Sequence, residues 1–227
     1  MSSKSDQSRD YSSPPCFAHE LEYTADGFET VDPVKSADVA RWRKAQRERL
    51  IAFRQALSKE ERHQLTQDTV AEIQRWVEPV QGLRVSVFWP YRAEPGLQEL
   101  MSDWRDKGVR VALPVVVDKQ SPMIFREWTA GCKMERAALN IPVPVNTAEL
   151  SPDVVIAPLV GFDRNCYRLG YGGGFFDRTL AALSQPHFSI GIGHPGLELA
   201  TIYPQAHDVP MDIIITGKGR VREREAV

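Results

Sequence analysis

Arg168, the run Gly170-Tyr171-Gly172-Gly173-Gly174 and Asp177 stand within one ten-residue stretch. Together these residue types suit a phosphate. A guanidinium meets phosphate oxygens bidentately, and closely spaced glycines let backbone N–H groups approach an anion. A lone carboxylate can hold a hydrated Mg²⁺. Such groups need a strand before them and a helix after. Val154 to Val160 is a run of apolar residues interrupted only by Pro158, and it reads as a buried strand reaching the edge of a sheet. A polar turn follows at Asp163 to Asn165, and Phe175 to Leu183 reads as a helix with Phe176, Leu180 and Leu183 on one face. Strand, glycine loop and helix would aim N–H groups and a helix N-terminus at a phosphate. The loop alone is balanced by a plainer reading as a flexible turn. No Lys-Ser or Lys-Thr follows the glycines, and there is no G-x-G-x-x-G. Asp177 is equally explained by favourable placement in a first helical turn.

Upstream, Ser36 is placed to cap a helix running to about Leu57, with Val39, Trp42, Leu50, Phe53 and Leu57 as its core stripe. Arg43, Arg47 and Arg54 form a row beside that stripe. Spacing alone favours a solvated basic face over a row reaching a phosphate. Ser58 and Glu61 make a capping box for a second helix to about Val77. Val85 to Trp89 reads as a strand, and Glu94-Pro95 lies where it yields to a helix carrying Leu97, Leu100, Met101 and Trp104, with Gly108 as its stop. Glu94 is therefore at the carboxyl end of a strand, where open sheets bind ligands, or is only a dipole partner. Further strands are expected at Val109 to Val117, Met123 to Trp128, His187 to Gly193 and Ile213 to Thr216. Residues 131 to 152 read as loop and Gly217 to Val227 as a frayed tail. His194 and His207 are lone loop histidines, more often structural than acid–base groups.

The stretch Phe162-Asp163-x-x-Cys166-x-Arg168-Leu169-Gly170-Tyr171-Gly172-Gly173-Gly174-Phe175-Phe176-Asp177 resembles the signature of the 5-formyltetrahydrofolate cyclo-ligase family, F-D-x-x-G-x-R-L-G-x-G-x-G-Y-Y-D. Cys166 stands where that pattern has glycine, and Phe175-Phe176 replace its tyrosine pair. Other segments carry the likeness further. Arg43-Lys44-Ala45-Gln46-Arg47 is similar to the family's K-x-x-x-R, Met123 and Phe125 to its M-x-F, and Asp208 to Asp212 to its closing D-x-x-x-D. The acid of the family's Glu-Pro is absent at Ile141-Pro142.

The resemblance implies ATP-dependent conversion of 5-formyltetrahydrofolate to 5,10-methenyltetrahydrofolate, with ATP and Mg²⁺ as cofactors. It implies ATP contacts from Arg43, Lys44, Arg47 and the loop Arg168, Leu169, Gly170, Tyr171, Gly172, Gly173, Gly174, Phe175 and Phe176. Substrate contacts are implied for Trp89, Glu94, Tyr171, Gly172, Gly173, Gly174 and Phe175. Catalytic roles fall to Arg168 and Glu94, and metal-binding roles to Asp177 and Asp208. Two other readings stand beside it: a sugar-phosphate isomerase or CoA-type enzyme, for which a glycine-rich anion loop is equally natural, and a non-catalytic nucleotide-binding member.

The chain has 227 residues, 42% of them hydrophobic, which is enough for one sizeable α/β core. Alternating strands and helices predict a single open, largely parallel sheet with helices on both faces, a three-layer arrangement. The expected organisation is a partly disordered N-terminal tail or arm over 1–35, one domain over 36–220 and a tail over 221–227. Charge is nearly balanced, 28 basic against 30 acidic residues, so no field advertises nucleic acid or membrane. Cys16, Cys132 and Cys166 form no C-x-x-C, and His19-Glu20 lacks a second zincin histidine. No run approaches the roughly 18 apolar residues of a membrane span. The expectation is a cytoplasmic monomer acting on a small molecule.

Overall fold

The structure, a computed structural model, describes residues 21–24, 27–30 and 33–224. The expected N-terminal arm lies outside the described residues up to Glu20. The chain divides after Arg41 into two units. The first holds an antiparallel hairpin, β1 (Leu21–Thr24) with β2 (Gly27–Thr30), and the start of α1 (Pro33–Ala56). The helix starts three residues ahead of Ser36, so Ser36 lies inside it and caps nothing.

The second unit continues with the rest of α1, α2 (Lys59–Trp76), β3 (Arg84–Ser86), α3 (Gln98–Asp106), β4 (Arg110–Val115) and β5 (Ile124–Glu127). There follow β6 (Met134–Arg136), β7 (Pro142–Pro144), β8 (Glu149–Leu150), β9 (Val154–Pro158), β10 (Gly161–Asp163) and β11 (Arg168–Leu169). The chain closes with α4 (Phe175–Ala182), β12 (Phe188–Ile192), β13 (Glu198–Leu199), β14 (Ile213–Ile215) and β15 (Val221–Glu223).

Eight strands form the main sheet in the order β15-β14-β12-β9-β3-β4-β5-β8. The five central strands, β14 to β4, are mutually parallel, and antiparallel strands finish both edges. The expected fold class holds. The apolar strand read from the sequence is β9, and it lies mid-sheet with Pro158 as its last residue. Successive residues alternate faces. Val85, Val111, Leu113, Val154, Ile156, Ile190, Ile192, Ile213 and Ile215 pack with residues of α2 and α3, while Ala112, Val155, Ala157 and Ile214 pack with Leu50 of α1 and Leu180 of α4. Being apolar on both faces is what makes the central strands read as continuous hydrophobic runs.

The capping box at Ser58 and Glu61 is present, with Glu61 N–H donating to Ser58 Oγ at 3.1 Å and Ser58 N–H donating to Glu61 Oε2 at 2.8 Å. Three expectations are corrected. The loop-rich stretch contains an antiparallel β6–β7 pair and edge strand β8. The frayed tail supplies β15, antiparallel to β14, whose ladder offers its residues a backbone partner despite their polarity. The α1 stripe is only partly the helix's buried face: Leu50 is in the core but Phe53 is 39% exposed, whereas Arg43 and Arg54 are buried.

Candidate active site

Central strand order sets the location. Chain order through the parallel strands is β3, β4, β9, β12, β14, yet β3 lies between β4 and β9. The connections leaving β3 and β9 therefore run in opposite directions along the sheet. The crevice beyond their carboxyl ends is the place where such sheets bind ligands. From β3 the chain reaches Trp89, Tyr91 and Glu94; from β9 it reaches Leu159, and then Arg168 and the glycine loop.

The end of β3 does not pass straight into a helix at Pro95 as expected; α3 starts at Gln98. The intervening turn is strained, with Arg92 at φ 48° and Ala93 at φ 62°, both non-glycine residues in the left-handed region. It is held from within: Tyr91 N–H donates to Glu94 Oε2 at 2.9 Å. Trp89 is half-buried and packs against the core.

Helix α1 crosses this edge with its arginines inward. Arg43, Arg47, Leu50 and Arg54 recur at intervals of four, three and four, which is one helical face. The solvated basic face favoured by spacing is thus replaced by a buried or half-buried one. Each guanidinium is satisfied by carbonyls that loops at a sheet edge leave open. Arg43 donates to Ile202 O at 3.0 Å and Tyr203 O at 2.8 Å, and Arg47 to Gly170 O at 2.8 Å. Arg54 donates to Arg92 O and Leu159 O, both at 2.9 Å. Lys44 is exposed and, with Arg47, Ile51, Gln55, Arg92 and Tyr171, lines a cleft of about 390 Å³ along this edge.

The glycine loop borders that cleft. Gly172 has φ 98°, and a Cβ there would lie 3.4 Å from the Arg47 guanidinium carbon; Gly174, at φ 62°, is the residue before α4. These are conformations that glycine adopts without steric cost. Among the described residues, no N–H from Gly170 to Gly174 has a hydrogen-bond acceptor, although Arg47 and Arg178 bind the carbonyls of Gly170 and Gly173. Open N–H groups ahead of a helix N-terminus have the geometry that can cradle an anion.

Arg168 lies behind this loop. Its side chain is 2% exposed, pairs with Asp177 at 3.0 Å, stands over the Phe176 ring and reaches Met211 Sδ. Burial lowers its pKa, opposed by the carboxylates of Asp177 and Asp208. Asp177 also accepts from Val209 N–H at 3.2 Å. Asp208 is fuller: Arg43 reaches both its oxygens, at 2.5 and 3.3 Å, and Gln205 N–H donates at 2.7 Å. Among the described residues no group of three or more His, Cys, Asp or Glu side chains could hold a metal ion. Mg²⁺ asks for only one or two carboxylates and keeps its waters. Asp177, with one donor on each oxygen, has more spare capacity than Asp208, which takes three donors.

Glu94 lies buried behind Tyr171 of the cleft wall. Burial raises its pKa, opposed by Arg54 and by hydrogen bonds from Tyr171 and Tyr91. Its Oε1 accepts from Tyr171 OH at 2.7 Å, and that hydroxyl accepts from Arg54 at 2.5 Å. Burial likewise raises Tyr171, with Glu94 beside it. Arg54 is the residue that sequence reading missed as part of the site; the four- and seven-residue spacing of the arginine row was the signal available. Phe175 stacks beneath Arg178, and Phe176 packs in the core next to Arg168. Cys166 sits away from the cleft, buried in the turn after β10 at φ 63°. Asp163 Oδ1 shapes that turn by accepting from the N–H groups of Asn165 and Tyr167. A left-handed position is where glycine is at no disadvantage, and burial pushes the Cys166 thiol up to about 11. His194 only caps a short turn, accepting from Gly196 N–H, and His207 is exposed.

Comparison with known proteins is consistent along the chain. The model of the 5-formyltetrahydrofolate cyclo-ligase family matches residues 39–217. A 5-formyltetrahydrofolate cyclo-ligase of Escherichia coli is 28% identical over 172 residues, covering 72% of this chain and 93% of that protein. One from Mycolicibacterium smegmatis is 30% identical over 147 residues, covering 61% and 76%. The solved structure of Aquifex aeolicus 5,10-methenyltetrahydrofolate synthetase superposes with a TM-score of 0.70 at 24% identity, covering 82% of this chain and 94% of that one. At that identity the likeness speaks for the fold.

Proposed function

The chain belongs to the 5-formyltetrahydrofolate cyclo-ligase family, and from that premise we propose that it closes 5-formyltetrahydrofolate to 5,10-methenyltetrahydrofolate, consuming ATP and releasing ADP and phosphate. The chemical need is plain. An amide oxygen leaves poorly, so the formyl oxygen has to be phosphorylated before the neighbouring amine can close the ring and expel it as phosphate. That reaction asks a protein for positioning and for stabilisation of charge, with no covalent nucleophile.

The observation that carries this reading is the run of open N–H groups from Gly170 to Gly174, bordered by Arg47 and preceding α4. On this reading the loop cradles the phosphates and Lys44 and Arg47 add positive charge from the cleft wall. Arg43 and Arg168 act from behind, through their ion pairs with Asp208 and Asp177. Glu94 and Trp89 orient the folate. Mg²⁺ accompanying the nucleotide would take Asp177 as its protein ligand and neutralise phosphate charge. The two family-pattern departures leave this arrangement intact, since Cys166 lies in a turn away from the cleft. Phe175 and Phe176 keep the rings and lose only hydroxyls. No helix of the described residues is long and apolar enough to cross a membrane; a cytoplasmic monomer without nucleic-acid or membrane partners completes the proposal.

Turnover of 5-formyltetrahydrofolate with and without Mg-ATP tests it. Methenyl product formed only with Mg-ATP, one ADP per turnover, is the expected result. Product formed without ATP, or nucleotide binding without turnover, would overturn it.

A further inference from the structure

We propose that Arg54 and Tyr171 are positioning residues for Glu94. They form a clasp that holds the carboxylate in one orientation and leaves Oε2 as the atom able to accept an N–H from the substrate. This rests on the reading of Glu94 as a substrate-binding group.

Counting acceptor sites carries the argument. A carboxylate offers about two sites per oxygen. Glu94 Oε1 takes Tyr171 OH at 2.7 Å and Arg54 Nη2 at 3.4 Å, while Oε2 takes only Tyr91 N–H at 2.9 Å. The spare capacity is on Oε2. Arg54 itself cannot swing. Its side chain is 3% exposed, Nε is committed to Arg92 O, Nη1 to Leu159 O, and Nη2 to Tyr171 and Glu94. It therefore bridges the chain leaving β3 and the chain leaving β9, across the switch point, and steadies the strained turn at Arg92 and Ala93. A lysine has no planar fork with which to do this. Tyr171 adds a second link. Its hydroxyl receives from Arg54 and donates to Glu94, so the glycine loop is tied to the carboxylate by a hydrogen bond. The charged and titratable groups facing Glu94 are the Arg54 guanidinium and the Tyr171 hydroxyl. The nearby Arg92 guanidinium stands over the Tyr91 ring, whose edge meets Tyr171.

The clasp works against burial, which disfavours the ionised carboxylate. Weakening it leaves Glu94 protonated to higher pH and weakens substrate binding on the acid side. The test is the pH dependence of 5-formyltetrahydrofolate Kd and kcat/KM in the wild type, Tyr171→Phe, Arg54→Lys, Arg54→Met and Glu94→Gln, with Tm recorded for each. The acid limb is expected to move up by roughly 1 unit or more in Arg54→Met, loss of an adjacent cation being worth about 1–3 units. A smaller shift is expected in Tyr171→Phe, with an approximately tenfold weaker Kd for the lost charged hydrogen bond. Arg54→Lys should fall between, and the limb should vanish in Glu94→Gln. If Arg54→Met does not fold, Tyr171→Phe and Arg54→Lys decide. A Tm loss in those two with the acid limb unmoved would overturn the clasp. The carboxylate infrared band lost in Glu94→Gln, titrated in the free protein, reads the same shift without substrate. An unmoved band overturns the clasp, whereas a moved band with unchanged folate binding overturns only the substrate role of Glu94.

Discussion

Replacing Arg168 by Met tests whether this buried guanidinium supports the fold beneath the glycine loop or a ligand above it. A guanidinium beside a phosphate-binding loop invites the expectation that its loss weakens nucleotide binding and spares the fold. Its surroundings predict the opposite order of effects. The Arg168 side chain is 2% exposed and that of Asp177 13%, with 3.0 Å between the paired atoms. Removing one partner of a buried pair costs about 3–5 kcal/mol because the other charge is left behind. Asp177 keeps Val209 N–H and some solvent, which brings the expectation somewhat below that range, to about 2–4 kcal/mol. At roughly 2–4 °C per kcal/mol for a chain of this size, Tm should fall by about 5–15 °C. Removing both charges, in Arg168→Met with Asp177→Asn, leaves no orphan and should recover about 1–3 kcal/mol as coupling. Differential scanning calorimetry and urea unfolding of the four proteins measure this cycle, and titration calorimetry with Mg-ATP measures binding alongside. ATP affinity lost in Arg168→Met with Tm unchanged would refute the reasoning, since a guanidinium that supports only ligand cannot be the buried partner of Asp177.

Four further outcomes follow from the same geometry. Asp208→Asn removes the bidentate partner of buried Arg43 and should cost about 2–4 kcal/mol in urea unfolding, the Arg43 side chain being only 10% exposed. Gly172→Ala places a Cβ 3.4 Å from the Arg47 guanidinium carbon at φ 98°, so it should lose about 1–2 kcal/mol and raise the KM for ATP. Cys166→Gly should be nearly neutral, within about 1 kcal/mol by thermal melting. Relief of the left-handed backbone, about 1–2 kcal/mol, is offset by glycine's extra unfolded-state entropy and the lost thiol burial. Finally, the Glu94 pKa is raised on folding, so its contribution to stability is full below the ordinary carboxylate range and is lost as pH rises through the raised value. The Tm difference between wild type and Glu94→Gln should shift against the wild type across that window and flatten above it.

Much of this molecule is determined by local pattern. The capping box at Ser58 and Glu61, the apolar runs of the parallel strands and the strand–glycine loop–helix order each have a signature within a few residues, because the forces behind them act within a turn or a ladder. The family signature from Phe162 to Asp177 is contiguous for the same reason: a strand end, a glycine loop and a helix start are built from one short segment. What tertiary structure alone decided is how the groups around that loop are used. Arg43 and Arg47 are satisfied by carbonyls 159 and 123 residues away, and Arg54 by one 105 residues away. No local period distinguishes such a face from a solvated one. A periodicity of apolar residues therefore put Phe53 inside and the arginines out, whereas open loop carbonyls at the sheet edge drew the arginines in. The same edge buries Arg168 against Asp177, and brings Glu94, Tyr171 and Arg54 together at the switch point. The sequence determines which segments become strands, helices and glycine loop; the packing of α1 over the ends of β3 and β9 decides which charges line the cleft and which face each other.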